Sequence, residues 1–239
     1  MNILDLLFPK RCVGCGKVGK YFCVRCRAKI RTIDQGETIC PVCEKPAIDG
    51  ITHPHCKTRY SLDGLTSFFH YNGIIQKAVK SIKYRFVSDL AKEFIYLIPC
   101  HSREGGNPSA LFSSQPWIPG LTRDDRAILV PIPLHSSRLR ARGFNQAEVL
   151  GKFLAQRLNV PFRTDLVKRV VQTLSQVEVK DREKRLKNME KAFQVTSDVK
   201  DVAILLFDDV WTTGATLRSA GNILKREGAS FVWGLTMAR

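Results

Sequence analysis

The sequence predicts an α/β fold, a parallel-sheet domain preceded by a small metal-binding module. Three observations carry this expectation. From residue 61 onward, apolar runs alternate with helix-period segments. Seven of the eight cysteines crowd between Cys12 and Cys56. One apolar run ends in two adjacent acids and a threonine-rich turn. A chain of 239 residues accommodates one medium domain and an appendage, since domains commonly span about 100–200 residues. The expected division is 1–60 for the module and 61–239 for the larger domain.

The cysteines fall as Cys12-x2-Cys15, Cys23-x2-Cys26 and Cys40-x2-Cys43, followed by Cys56. This is metal spacing: a Cys-x2-Cys turn aims two thiolates at one ion, and two such turns complete a tetrahedral zinc shell. Cys12, Cys15, Cys23 and Cys26 make one site. Cys40, Cys43 and Cys56 need a fourth ligand from His53-Pro54-His55, where His53 keeps the two-residue spacing to Cys56 and His55 is the competing choice. Closed four-ligand shells leave no open position for catalysis, so two structural zinc ions are expected, supplying the folding free energy that so short a segment lacks.

Ile74, Ile75, Ala78, Val79 and Ile82 recur with helical spacing, with Lys77, Lys80 and Lys83 assigned to other faces; Leu90, Phe94 and Leu97 mark a second helix. Residues 99–126 break every pattern with Gly, Pro and Ser clusters and read as a disordered insertion that resembles translated repeat sequence. A strand at Ala127–Val130, a helix from Phe144 to Leu158, a strand from Val202 to Phe207, a helix from Thr216 to about Glu227 and a strand from Phe231 to Thr236 follow. Ligands in such sheets bind beyond the carboxyl ends of the strands.

The most specific feature lies at such an end: Asp208-Asp209-Val210-Trp211-Thr212-Thr213-Gly214-Ala215-Thr216. Amides at a helix start, with the hydroxyls of Thr212, Thr213 and Thr216, cradle a phosphate monoester, and Gly214 permits close approach of the backbone. Paired carboxylates, which only accept hydrogen bonds, suit the neighbouring hydroxyls of a ribose. The absence of a Gly-Lys-Ser/Thr ending excludes a Walker A loop.

This stretch resembles the phosphoribosyl pyrophosphate motif of type I phosphoribosyltransferases. Pro131-Ile132-Pro133-Leu134-His135 and Arg138-Leu139-Arg140-Ala141-Arg142-Gly143-Phe144-Asn145-Gln146 are similar to the signature of the ComF family, as are Thr173-x2-Gln176, Arg185-x2-Asn188 and Ala192-Phe193. The resemblance implies a type I phosphoribosyltransferase-like domain behind a double zinc ribbon. Asp208 and Asp209 would hold the ribose hydroxyls, and Thr212, Thr213, Gly214, Ala215 and Thr216 the 5-phosphate. Arg138, Arg140 and Arg142 would meet the pyrophosphate, with Mg²⁺ bridging substrate oxygens. Arg59 stands where many relatives carry a last zinc cysteine.

The formal charge of +16 has half its excess between Ile132 and Val195, where 14 basic residues face 6 acidic ones. Such a field attracts polyanions. The expected ligand is phosphoribosyl pyrophosphate; the alternative is a non-catalytic adaptor that binds single-stranded DNA or competence-machinery proteins. A second copy of the chain is the remaining candidate partner. No apolar stretch approaches the roughly 20 residues of a membrane span, and the Ile3–Phe8 run contains an acid and stops at Pro9. A cytoplasmic protein is the resulting expectation.

Overall fold

The computed structural model describes residues 9–84, 88–99, 118, 127–171 and 192–239. The Ile3–Phe8 run, most of the insertion, and Thr173, Gln176, Arg185 and Asn188 lie outside them. Strands β1 (Gly64–Phe69), β2 (Ile128–Pro131), β5 (Ala203–Val210) and β6 (Phe231–Ala238) form one parallel sheet in the order β1-β6-β5-β2. β3 (Val167–Arg169) and β4 (Phe193–Val195) pair antiparallel as a separate ribbon. The first five residues of β6 and of β5 are apolar apart from one glycine because both faces of a parallel sheet are covered.

Side-chain alternation divides the core into two layers. Leu205, Phe207, Leu235 and Met237 face one way and pack with helices α2 (Gly73–Tyr84), α3 (Ser88–Ile95) and α5 (Gln146–Leu158). Ile204, Leu206 and Val232 face the other, against α6 (Ala215–Arg226) and the β3–β4 ribbon. The helices lie where their periodicity places them, with Ile75, Ala78, Val79 and Ile82 buried on α2. Asn145 starts α5, its Oδ1 accepting the Ala147 amide at 3.1 Å while its Nδ2 donates to the Ile132 carbonyl at 2.9 Å. This explains an asparagine in the signature after β2.

The segment read as an unpatterned insertion has one described member beyond Pro99: Ile118, which is 3% exposed and joins the core. The Arg138–Arg142 run belongs to a short helix, α4 (Ser136–Arg142), which starts at His135 and ends on a left-handed Gly143.

The cysteine-rich segment contains the one-turn α1 (Val24–Arg27) and several 3-10 turns. It lies against the α/β domain: Thr32 bridges Phe69, Ile51 bridges Gly64, and Phe22 stacks on Phe94 at 5.9 Å. Among the described residues no helix is long and apolar enough to cross a membrane.

Candidate phosphate and metal sites

β5 ends in the two acids, and its pleat sends them to opposite faces of the sheet. Asp209 follows the Leu205–Phe207 side and is 4% exposed, with its Oδ2 at 2.9 Å from the Lys83 ammonium of α2. Burial opposes the Lys83 charge, yet Asp209 and, less strongly, Asp208 hold its pKa above the ordinary value. Asp208 follows the Ile204–Leu206 side. Burial and then the neighbouring Asp209 carboxylate push its carboxyl well above the usual range, although the Asp209 amide donates to it at 2.8 Å. The two acids thus do not form a symmetric pair: Asp209 is committed to an ion pair, and Asp208 faces the turn.

That turn closes a hollow of about 20 Å³ lined by Asp208, Trp211, Thr212, Gly214, Ala215 and Thr216 among others. Gly214 sits at the N-cap of α6 with φ 66 and no side chain caps the helix, so the first amides, which have no intrahelical acceptor, face the turn. Thr212 and Thr213 are exposed, Thr216 partly so. Gly214 is required twice over: its φ is left-handed, and a Cβ there would lie 2.1 Å from the Trp211 ring.

Of the three arginines on α4, Arg138 and Arg142 are half-buried and share one face, whereas Arg140 is exposed. Arg142 Nη1 donates to Gln146 Oε1. Arg138 shares a field with Arg169 on β3: burial, then Arg138, draw the Arg169 pKa down, while Asp208 draws it up. Arg169 is 8% exposed and lies over the Phe193 ring at 5.4 Å.

Sequence reasoning assigned no role to Lys83, Arg169 or Arg218. For Lys83 a signal existed, because it continues the buried Ile75–Val79 stripe at a spacing of four. Arg169, on a three-residue strand, and Arg218, an ordinary-looking helix residue, offered none.

The cysteines gather as two groups whose ligand atoms lie within 4.8 Å of one another: Cys12, Cys15, Cys23, Cys26, and Cys40, Cys43, His53, Cys56. In the second, Cys43 Sγ lies 3.4 Å from His53 Nδ1, while His53 Nε2 is 2.9 Å from the Pro46 carbonyl. An Nε2–H donated there leaves Nδ1 for a metal, the usual orienting contact of a ligating histidine. His55 stacks on His53 outside the group, and Arg59 lies over Tyr60 rather than in the cluster.

The chemistry of both groups fits zinc. Burial opposes ionisation of Cys12, but the amides of Cys23, Cys15 and Gly14 outweigh it and bring its thiol down to about 6. Burial and the surrounding thiols push Cys26 up to about 12. Cys40 is lowered likewise, its burial outweighed by amides, and Cys56 is raised to about 11 by burial and Cys43. In each cluster one thiol, Cys12 or Cys40, thus gives up its proton readily, while another, Cys26 or Cys56, holds its proton until a cation compensates the crowding.

The chain matches the double zinc ribbon domain family over residues 3–58 and the phosphoribosyl transferase domain family over 145–233. It is 36% identical to competence protein F of Haemophilus influenzae over 114 residues, which cover 46% of this chain and half the length of that protein. It is 29% identical to competence protein ComFC of Bacillus subtilis across 91% of this chain and 83% of the relative. A hypoxanthine phosphoribosyltransferase from Staphylococcus aureus aligns over 47% of this chain and 52% of its own, at 18% identity and a TM-score of 0.28. The parallel α/β architecture itself stands on the strand pairing described above. A double zinc ribbon match at one end, a phosphoribosyl transferase domain match at the other and similarity to competence protein ComFC along most of its length support placing this chain with the ComF family.

Proposed function

We propose that the chain binds phosphoribosyl pyrophosphate with Mg²⁺ at the 208–216 turn and acts as a phosphoribosyltransferase. The carrying observation is that Asp208 and the uncapped amino end of α6 line one hollow at the carboxyl end of β5. The 5-phosphate would occupy the amides of residues 212–216, and Asp208 would accept from the ribose hydroxyls. Asp209, held by Lys83, would fix the backbone beneath. The anomeric carbon would exchange its bond to the pyrophosphate oxygen for one to an acceptor nucleophile, with pyrophosphate leaving. Arg138 and Arg142 would meet the charge that gathers on the leaving group. Mg²⁺, when bound with the substrate, would act as a Lewis acid and share that charge. The domain division at residues 60 and 61 belongs to the same reading.

Calorimetry with phosphoribosyl pyrophosphate and Mg²⁺ tests the site. Asp208→Asn is expected to weaken binding at least tenfold, about 1.4 kcal/mol; equal affinity in the two proteins would reject the assignment. Because the Asp208 carboxyl is raised, the wild-type affinity should grow as pH rises through that raised pKa, and the variant should lack the dependence. The same shift has a sign for stability: an acid that ionises less easily in the folded chain costs stability above its unfolded pKa. The variant should therefore melt higher at neutral pH.

A second reading has its own observation. A cleft on the first ribbon is lined by Lys17, Lys20, Arg25 and Lys29 beside Val18 and Val24, a surface suited to single-stranded nucleic acid. A non-catalytic adaptor would bind there with strongly salt-dependent affinity and without pyrophosphate release.

A further inference from the structure

The two knuckles of the ribbon module are built on one plan. In the first, the Cys12 amide bonds the Lys17 carbonyl at 2.8 Å and the Gly16 amide bonds Cys12 at 2.7 Å. In the second, the Cys40 amide bonds Lys45 and the Glu44 amide bonds Cys40, both at 2.9 Å. The residue that closes the turn is left-handed in both, Gly16 at φ 78 and Glu44 at φ 61. Glycine takes that conformation without strain and a glutamate does not. Such strain persists where the surroundings fix it and commonly marks function.

What surrounds Glu44 is Arg218. The Arg218 guanidinium pairs with Glu44 Oε1, and its Nε donates to the Pro41 carbonyl at 2.6 Å. Arg218 lies in the first turn of α6, and its guanidinium carbon stands 5.3 Å from the centre of the Trp211 ring. That ring fills the space over Gly214. A continuous set of contacts thus runs from the Cys40–Cys43 knuckle through Arg218 and Trp211 to the turn. The first knuckle has no equivalent, since Gly16 offers no side chain.

We propose that Glu44 and Arg218 are positioning residues that couple the second metal cluster to the phosphate-binding turn. Metal in the cluster and anion on the turn then favour each other, because such linkage is reciprocal. The proposal rests on reading the turn as an anion site, and its test separates the two.

The deciding variant is Glu44→Gly, which gives the second knuckle the residue the first already has, relaxing the backbone while removing the partner of Arg218. Three readouts apply: zinc release to a chromogenic chelator, calorimetry with phosphoribosyl pyrophosphate and Mg²⁺, and the ¹⁹F line of Trp211 in 5-fluorotryptophan-labelled protein, assigned by Trp211→Phe. Without anion, zinc should leave no faster than from the wild type. Anion affinity should fall roughly five- to twentyfold, within the usual range of coupling between sites, and the Trp211 line should move. Arg218→Lys, which keeps the charge but loses the fork, should share the affinity loss. A purely structural pair would instead show altered zinc release with affinity and Trp211 line intact, and that result would overturn the proposal. If the wild type binds no phosphoribosyl pyrophosphate, the functional reading falls and the Trp211 line still decides. The line must shift when the second metal is lost in His53→Ala, and an unmoved line refutes the coupling.

Discussion

The two ribbons share a hydrogen-bond plan and are attached by different forces. The first is anchored by apolar packing: Phe22 is buried against Phe94, and Gly14 brings its backbone against Cys26 and Ile74. The second reaches the α/β domain largely through polar contacts, Arg218 to Pro41 and Glu44, and Arg239 Nη2 to the Glu37 carbonyl. Apolar burial is non-directional and suits a fixed foundation. Hydrogen bonds and ion pairs depend on angle and charge, so they transmit the state of one partner to the other. One repeat serves stability, and its twin is placed to serve the site.

The sharpest way to break this contrast is Phe22→Ala, which should cost about 3–5 kcal/mol of stability. Denaturant unfolding would measure it, and a loss under about 1 kcal/mol would mean that the first ribbon is not anchored as described. Metal content sharpens the contrast next. Elemental analysis should find two zinc ions per chain and one in His53→Ala, while His55→Ala keeps both; a loss in His55→Ala instead would reassign the fourth ligand. The smallest effect belongs to Lys77, which donates to the Gly14 carbonyl at 3.2 Å from an exposed position. Lys77→Ala should change stability by no more than about 0.5 kcal/mol, and a larger loss in the same denaturant experiment would show polar docking of the first ribbon.

The sequence made the central frame legible because β2, β5 and β6 are apolar runs and α2, α3, α5 and α6 carry clear periodicity or a turn at their start. β1 escaped because its Thr66 and Ser67 look like surface residues; in the fold Ser67 meets Thr236 at 2.7 Å and Thr66 accepts from the Trp233 indole. β3 and β4, three residues each, carry too few alternations to detect. At the site, the acid pair and the glycine turn stood out as local motifs. Their division of labour did not: adjacency in sequence suggested one shared task, whereas Asp209 is taken up by Lys83 and Asp208 lines the turn. Lys83 and Arg218 gain their roles from partners far along the chain, Asp209 and Glu44, a kind of information that local periodicity does not hold. The choice between His53 and His55 was likewise left open by spacing, and in the fold it is His53 that lies in the cluster, with the Pro46 carbonyl behind it.

The strand order has a consequence for how the chain reaches this state. β6 lies between β1 and β5, and its Thr236 pairs with Ser67 across 169 residues of sequence. A growing chain that has emitted β1, β2 and β5 therefore holds a lone strand and a separate two-stranded fragment, each with an edge that β6 covers in the finished sheet. Contacts of such long range form slowly, and unpaired edges invite association with other chains. The ribbons, whose ligands lie close together near the start, can close around metal long before that gap is filled. Synthesis of this protein thus passes through a period in which its metal module is finished and its sheet is still open in the middle.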